Sequence, residues 1–303
     1  MIYDEFLKIF KKKVIPENKL NAWLDQYLKD LDPKILSIDE TDDVFQEIDS
    51  LLKNKKWDNT NDKLYKNKWD RGWSELSKKF IQTENEKDLN PQYLKSSLLK
   101  ICNFMVKFNC VEAEHQIAEL ILTKIFKQYF HKVDNIYEFG CGPCRNILIL
   151  NKLFKKNLFA LDWADGVKDI VEILNKKSVN EIQYARFNML KPDQNYKLKN
   201  NSGVLTVHSM EQIGHNHNNF INYLLNNKVK ISVHIEPEDQ FYSDDQMDSR
   251  RKLFHNKRGY LTGFFKLLSN LEQKKHLKII HAQKLYLGSL MHDPYVIFIW
   301  KPI

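Results

Sequence analysis

The chain has 303 residues, 43% of them hydrophobic, and a formal net charge of +8, an ordinary composition for a folded protein of one large or two modest domains. No apolar run approaches the roughly 18 residues of a membrane span, and the first residues lack the apolar block of a signal peptide. The positive charge is spread along Lys-rich stretches, which does not favour a nucleic-acid partner. We therefore expect a cytoplasmic protein that neither enters a membrane nor binds nucleic acid.

The first part of the chain has helical periodicity. Apolar residues recur at three- and four-residue steps over residues 20–31 and again over 44–52, so each set shares one helix face. Further helical patterns cover 69–80, 91–108 and 111–130, and the polar stretch 53–68 is typical of a loop. No strand pattern precedes residue 133. We predict a helical N-terminal cap, residues 1–130, that forms part of a substrate site.

From residue 133 onward, short apolar runs alternate with helical patterns. The strand candidates are 135–139, 157–161, 182–187, 203–207, 230–235, 277–286 and 295–300. Helical segments separate the first five, which is the signature of parallel strands joined by crossover helices. The last two face each other across the short loop 287–294, which fits an antiparallel hairpin. Residues 131–303 are therefore predicted to form an α/β domain with a doubly wound, mostly parallel sheet of seven strands.

The segment 136–145, with the sequence IYEFGCGPCR, carries the most informative motif. Glu138 lies near the end of the first strand, Gly140 and Gly142 form a turn, and a helix follows at once. Glycines let the backbone bend and let a ligand approach where a Cβ would clash. Asp162 ends the next strand, where an acidic side chain accepts hydrogen bonds from ribose hydroxyls. This crevice at the carboxyl ends of parallel strands predicts a nucleoside cofactor.

Three further features narrow the choice of cofactor. An acidic residue precedes the glycines, the third strand ends in Asn188-Met189, and an antiparallel pair closes the domain. Taken together, residues 134–303 resemble the class I S-adenosylmethionine-dependent methyltransferases. The resemblance implies a sheet order of 3-2-1-4-5-7-6 with an antiparallel seventh strand, and S-adenosylmethionine as the cofactor.

The resemblance also implies roles for individual residues. The glycine-rich turn and its preceding carboxylate would line the methionine and ribose, Asp162 would bind the ribose, Trp163 and Met189 would sandwich the adenine, and Asn188 would meet its amino group. The residues expected at the cofactor are Glu138, Gly140, Cys141, Gly142, Asp162, Trp163, Asn188, Met189 and His208. One position departs from the family pattern, because Cys144 occupies the third small position of the turn.

Cys141 and Cys144 leave a second interpretation open. Cys-Gly-Pro-Cys before a helix is also the spacing of thioredoxin-like redox motifs, where a helix N-terminus lowers the pKa of the first thiol. Gly140 stands where that family usually has Trp, and seven strands are too many for a thioredoxin domain. A thiol oxidoreductase is therefore the alternative function, and a nucleic-acid methyltransferase is the other.

The acceptor side of the site has weaker signals. Trp69 and Trp73 precede the α/β domain and resemble the aromatic leader that folds over the cofactor in some small-molecule methyltransferases. After the fourth strand, we predict Glu211 and His215 as catalytic residues, because a histidine is well matched to taking a hydroxyl proton near neutral pH. The pair His215 and His217 with Glu211 lacks a further ligand pattern, so no metal is expected.

Three other residues are candidates for substrate binding. Glu236 follows the fifth strand, and Arg258 and Tyr260 lie at the end of a later helix. Arg251, His255 and Arg258 share one helix face, which suits binding of a phosphate or carboxylate. The alternative is that this face is simply exposed to solvent. The sequence thus predicts methyl transfer to an O or N atom of a small metabolite or glycan, and it gives no oligomeric state.

Overall fold

The computed structural model describes residues 30–54, 62–91, 95–101, 104–177, 180–291 and 295–303, with only the backbone described for 62–68 and Lys177. The predicted helix over 20–31 therefore lies almost entirely outside the described residues. No helix in the described ranges is long and apolar enough to cross a membrane.

The N-terminal region contains both helices and strands. In chain order these are β1 (Lys34–Ile35), α1 (Ile38–Leu52), α2 (Asp62–Thr83), β2 (Leu98–Ile101), β3 (Phe104–Lys107) and α3 (Ala113–Tyr129). A capping box starts α1, because Ser37 Oγ accepts from the Glu40 N–H and a Glu40 oxygen accepts from the Ser37 N–H. The helices predicted over 44–52, 69–80 and 111–130 are confirmed, while α2 begins inside the predicted polar loop.

The predicted helix over 91–108 is wrong, because β2 and β3 form a hairpin there. With β1 and a strand from the end of the chain they make a four-stranded antiparallel sheet. A short apolar run cannot be assigned to helix or strand by periodicity alone. Lys100 makes the assignment harder, because a lysine is usually exposed but this one is buried in β2. Its ammonium group donates to Asp245 and Asp248 at 2.9 and 2.8 Å. The predicted all-helical cap is therefore a mixed region.

The second part of the chain alternates strands and helices. Its elements are β4 (Asn135–Phe139), α4 (Arg145–Leu153), β5 (Asn157–Asp162), α5 (Gly166–Lys177), β6 (Ile182–Arg186), β7 (Ser202–Val207), α6 (Asn218–Asn226), β8 (Ile231–Glu236), α7 (Gln246–Arg258), α8 (Phe264–Gln273), β9 (Leu277–Lys284), β10 (Leu287–Gly288) and β11 (Val296–Pro302). β10 lies in the predicted hairpin loop and pairs with β2 of the small sheet.

A mostly parallel sheet of seven strands is confirmed. Its order is β6-β5-β4-β7-β8-β11-β9, which reads 3-2-1-4-5-7-6 when its strands are numbered along the chain. The pairs from β6 to β8 are parallel, and β11 runs antiparallel to both β8 and β9. The strand order reverses between β4 and β7, so their carboxyl ends flank the crevice where such sheets bind ligands.

Both faces of this sheet are covered by helices. In β4, Ile136 packs into one hydrophobic cluster with residues of α3, α4 and α5, and Tyr137 packs into a second with residues of α6 and α8. This alternation is the two-residue period of a strand buried on both faces. The first cluster also contains Ile117 and Phe130, so the N-terminal region shares this core. A domain division near residue 130 stays a prediction.

Candidate functional site

A cavity of about 1140 Å³, part of it open solvent, lies at the carboxyl ends of β4, β5, β6 and β7. It has the position at which doubly wound sheets bind small molecules. The predicted cofactor residues that line it are Glu138, Gly140, Cys141, Gly142, Asp162, Trp163, Asn188, Met189 and His208. The structure therefore brings all of the residues predicted for the cofactor to one cavity.

The turn after β4 requires glycine at two positions. Gly140 and Gly142 have φ values of +70° and +47°, which favour glycine over residues with a Cβ. A Cβ on Gly140 would lie 2.4 Å from the Cβ of Ser209, and one on Gly142 would lie 3.0 Å from a ring carbon of Trp73. The N–H groups of Gly140 and Cys141 both donate to the Leu161 carbonyl, at 2.7 and 3.1 Å. The turn is thus held closely against β5 and its neighbours.

Asp162 ties three chain segments together at the cavity wall. Its carboxylate accepts hydrogen bonds from the N–H groups of Gly142 at 2.8 Å and Ala164 at 2.9 Å. Its carbonyl accepts from the N–H of Phe187 at 2.9 Å. Burial raises the pKa of this carboxyl to about 6, while the hydrogen bonds from the N–H groups of Ala164, Gly142 and Trp163 act in the opposite direction. Asp162 therefore orders the ends of β4, β5 and β6 and presents an acidic group to the cavity.

Glu138 is a second buried carboxyl in the same wall. One of its oxygens accepts a hydrogen bond from Asn146 Nδ2 at 2.7 Å. Burial raises its pKa to about 8, and the charge of Asp162 raises it further, although hydrogen bonds from Asn146 and the Ile147 N–H oppose these effects. At neutral pH the Glu138 carboxyl is therefore largely protonated, so it can both donate and accept a hydrogen bond.

The two cysteines of the turn are buried and free. Burial raises the pKa of the Cys141 thiol well above its usual value, and the Cys144 thiol and the Asp162 charge raise it further. A redox-active first cysteine needs the opposite shift and access to solvent. Cys144 has a left-handed φ of +61° and directly precedes α4, so the position that departs from the family pattern also has turn geometry. These features do not favour a thiol oxidoreductase.

We expect replacement of both thiols by hydroxyls, Cys141→Ser with Cys144→Ser, to leave S-adenosylhomocysteine affinity within about tenfold, roughly 1.4 kcal/mol. The physical reason is that both thiols are buried and serve to shape the turn. Calorimetric titration of the double variant measures this affinity, and an insulin-reduction assay of the wild type is the control. A larger loss of affinity would contradict the expectation, and reductase activity in the wild type that the double variant lacks would favour a thiol oxidoreductase.

The residues predicted for the adenine lie around the ends of β5, β6 and β7. Trp163 and Met189 are half-buried in the cavity wall. Asn188 accepts the N–H of Leu190 with its side-chain oxygen at 2.9 Å, so its amide NH₂ group remains as a donor. His208 has a left-handed φ of +52° after β7, and its ring meets Tyr295 edge-on with centroids 5.0 Å apart. Their roles in cofactor binding stay predictions.

Trp69 and Trp73 of α2 also line the cavity. Their rings are stacked, with centroids 5.2 Å apart and planes at 24°. Between them, Asp70 accepts the N–H of Asp165 at 3.2 Å, in the loop that follows β5. The structure thus places both tryptophans against the two loops predicted to hold the cofactor.

We expect S-adenosylhomocysteine to slow amide hydrogen exchange across α2, because the helix contacts the turn at Gly142 and the loop after β5. Exchange is measured by mass spectrometry with and without the ligand. The exposed helix α1 serves as the internal control and should exchange equally in both states. Unchanged exchange over Asp62–Thr83 with saturating ligand would show that the tryptophans belong to the core alone.

The predicted catalytic residues do not meet at the cavity. Glu211 is buried, accepts from the side chain of Gln212 at 2.7 Å and donates its own N–H to Glu236 at 3.3 Å. His215 is exposed. The short helix Met210–Ile213 directs Gln212 and Ile213 to the cavity instead. The prediction that Glu211 and His215 converge at the acceptor is therefore corrected.

Glu236 has a structural position behind the cavity. Its carboxylate accepts the N–H groups of Ser209 at 3.2 Å and Glu211 at 3.3 Å. Burial raises its pKa to about 8, and the charge of Glu211 raises it further. Glu236 is not among the residues that line the cavity. It supports the loop after β7, and the structure does not place it where a substrate would bind.

Arg258 and Tyr260 likewise lie away from the cavity. Arg258 donates to the Tyr260 hydroxyl at 3.3 Å, and Arg251, His255 and Arg258 are all buried. His255 bonds to the Leu261 carbonyl at 2.8 Å. This face of α7 is therefore buried, so the solvated face offered by the sequence is wrong, while anion or substrate binding there stays a prediction. Within the described ranges, no group of three or more His, Cys, Asp or Glu residues could hold a metal.

Several residues of the cavity wall are not apparent from the sequence motifs. They are His115, Glu119, Arg145, Asn146, Gln212 and Tyr295. Arg145 and Glu119 form an ion pair at 3.0 Å across the groove between α3 and α4. The signal that could have found part of this set is the helical spacing of His115 and Glu119, which places both side chains on one side of the helix.

Neither a protein-family model nor a curated protein sequence matches this chain. The [4+2]-cyclase SpnF is similar in structure, with 11% identity, a TM-score of 0.47, and coverage of 62% of this chain and 81% of that one. Geranyl diphosphate C-methyltransferase from Streptomyces coelicolor A3(2) has 9% identity and a TM-score of 0.47, covering 64% and 82%. Magnesium protoporphyrin IX methyltransferase from Synechocystis PCC 6803 has 9% identity and a TM-score of 0.46, covering 62% and 84%.

Proposed function

We propose that this chain is an S-adenosylmethionine-dependent methyltransferase that acts on an O or N atom of a small molecule. The observation that carries the proposal is the turn Gly140–Gly142, which is held by Asp162 and opens into the same cavity as Asn188 and Met189. The observed sheet order, with β11 antiparallel, is also the order that the sequence resemblance implies.

The residues present fit the adenosine part of the cofactor. The Asp162 carboxylate suits the ribose hydroxyls, and the amide of Asn188 can pair with the edge of the adenine. The ring of Trp163 and the side chain of Met189 are apolar groups on the cavity wall that can cover the two faces of a base. Two positive-φ glycines let the turn pack against Ser209 and Trp73, where side chains would clash. Each group of the nucleoside thus has a matching partner here.

The chain's own contribution to catalysis is alignment and exclusion of water. When bound, S-adenosylmethionine supplies an activated methyl group on a cationic sulfur. In this proposal the acceptor lies beside that methyl group. The walls around it are formed by the stacked Trp69 and Trp73 and by helices α3 and α4. Holding two reactants in one orientation accounts for a large part of the rate enhancement in such reactions.

Thermal unfolding tests the proposal without a known acceptor. S-adenosylhomocysteine at about 100 times its dissociation constant stabilises the folded chain by about 2.7 kcal/mol, which raises the midpoint of a chain this long by roughly 5 °C. NAD and ATP are the controls, because doubly wound sheets also bind other nucleotides. A rise with NAD and none with S-adenosylhomocysteine would overturn the proposal.

A further inference from the structure

Helices α3 and α4 form a wall of the cavity that is separate from the residues predicted for the cofactor. His115, Ala118, Glu119 and Leu122 of α3 line it, and their spacing places them on one face of the helix. Ala118 and Leu122 also belong to the hydrophobic core that contains Ile117 and Ile121. This face of the helix therefore both packs in the core and lines the cavity.

The charges on this wall cancel. Arg145 is the one lysine or arginine among the described residues that line the cavity, and Glu119 pairs with it at 3.0 Å. A phosphate or carboxylate that approached Arg145 would have to displace the Glu119 carboxylate, which stands beside the arginine as a negative charge. The wall therefore discriminates against anionic ligands and suits neutral ones.

His115 presents an unused hydrogen-bonding atom in this wall. Its Nε2 is buried and has no hydrogen-bond partner within the described part of the chain. Burial lowers its pKa to about 4, and the charge of Arg145 lowers it further, although the Pro91 carbonyl and Glu112 oppose these effects. The imidazole is thus neutral at physiological pH, with one nitrogen able to accept a hydrogen bond.

A buried polar atom without a partner destabilises the folded chain, and such atoms in folded proteins usually have an explanation in a ligand, an ion or a water. The wall also has apolar groups, from Ala118 and Leu122 of α3 and Ile149 of α4. A ligand with an apolar body and one donor group would satisfy both the walls and the imidazole.

We infer that this wall is the acceptor subsite of the proposed methyltransferase, and that it takes a neutral molecule with an apolar body whose O–H or N–H donates to His115 Nε2. The assignment of this wall as an acceptor subsite rests on the proposed function. The chemistry of the ligand follows from the residues of the wall. For a hydroxyl acceptor, the same nitrogen is placed to take the proton that the oxygen releases.

The test uses 2-naphthol as the probe, because it joins an apolar body to one hydroxyl donor. We expect saturable shifts of the His115 ring resonance in the NMR spectrum of ¹³C-histidine-labelled protein, with and without S-adenosylhomocysteine. His115→Ala should weaken 2-naphthol binding about fivefold to tenfold, as loss of one neutral hydrogen bond predicts. His115→Gln, which keeps an acceptor oxygen, should recover most of that loss.

Two kinds of control distinguish a hydrogen bond from the ligand to His115 from a general effect of the substitution. Gln116→Ala changes the neighbouring residue of α3, which does not line the cavity, and should leave 2-naphthol affinity unchanged. 2-Methoxynaphthalene, which lacks the donor, and 2-naphthoate, which carries a negative charge, should each bind more weakly than 2-naphthol. Affinity for S-adenosylhomocysteine should be the same in His115→Ala as in the wild type.

Equal binding of 2-naphthol by the wild type and His115→Ala, or tighter binding of 2-naphthoate, overturns the inference. If S-adenosylhomocysteine binds normally while either result appears, only the acceptor subsite is wrong. If S-adenosylhomocysteine does not bind the wild type at all, the proposed function fails, and the acceptor role of this wall fails with it.

Discussion

Gly140→Ala should reduce S-adenosylhomocysteine affinity by more than about 100-fold, or about 2.7 kcal/mol. The backbone at Gly140 has a φ of +70°, and an added Cβ would lie 2.4 Å from the Cβ of Ser209. Ser209 cannot retreat easily, because its hydroxyl donates to the Phe139 carbonyl at 2.9 Å and its N–H donates to Glu236. The turn must therefore move, and the cofactor wall moves with it. Calorimetric titration measures the loss of affinity.

Gly72→Ala is the matched control for this substitution. Gly72 lies within α2, and a Cβ there would meet no atom within 4 Å. Alanine is favoured over glycine in a helix by about 1 kcal/mol, so this variant should be at least as stable as the wild type and bind the ligand normally. Normal ligand affinity in Gly140→Ala would contradict the close packing of the turn.

Asp162→Asn should also weaken S-adenosylhomocysteine binding by about 100-fold. Both carboxylate oxygens accept backbone N–H groups, from Gly142 and Ala164. Asparagine has nearly the same shape but turns one acceptor into an NH₂ donor, which would then face another donor. The free energy of unfolding should fall by about 1–3 kcal/mol, the usual effect of a buried group left unsatisfied. Denaturant titration and calorimetry measure the two effects.

Asp165→Asn is the control for Asp162→Asn. Asp165 lies three residues further along in the same loop, is exposed, and pairs with the equally exposed Arg186 at 3.3 Å. Exposed ion pairs contribute little to stability, so this variant should match the wild type in both measurements. An Asp162→Asn protein that behaves like the Asp165→Asn control would remove Asp162 from the account of the site.

The large sheet could be predicted from the sequence, and the small one could not. The strand candidates of the large sheet are buried apolar runs bounded by turn residues, so their pattern is local. β4, for example, occupies the predicted residues Asn135–Phe139. In the small sheet, β1 and β10 have two residues each, and β10 joins β2 from the far end of the chain. Pairing over such a separation leaves no local signal.

The site shows the same division between local and distant information. Residues such as Gly140 and Asp162 could be placed because each lies at the end of a predicted strand, and the ends of parallel strands meet at one edge. The acceptor wall depends on which face of α3 turns toward the cavity, which places His115 there. It also depends on the orientation of the short helix Met210–Ile213, which directs Gln212 to the cavity, while His215 beyond it is exposed. The sequence pattern alone does not specify these rotations.

Calorimetric titration of the wild-type chain with S-adenosylhomocysteine tests the central claim most directly. We expect one ligand molecule per chain with a dissociation constant in the micromolar range, about −8 kcal/mol, and no heat from NAD under the same conditions. Gly72→Ala should give the same curve, and Gly140→Ala should give none. A wild-type chain that binds NAD, or that shows no heat with S-adenosylhomocysteine at millimolar concentration, would contradict the account.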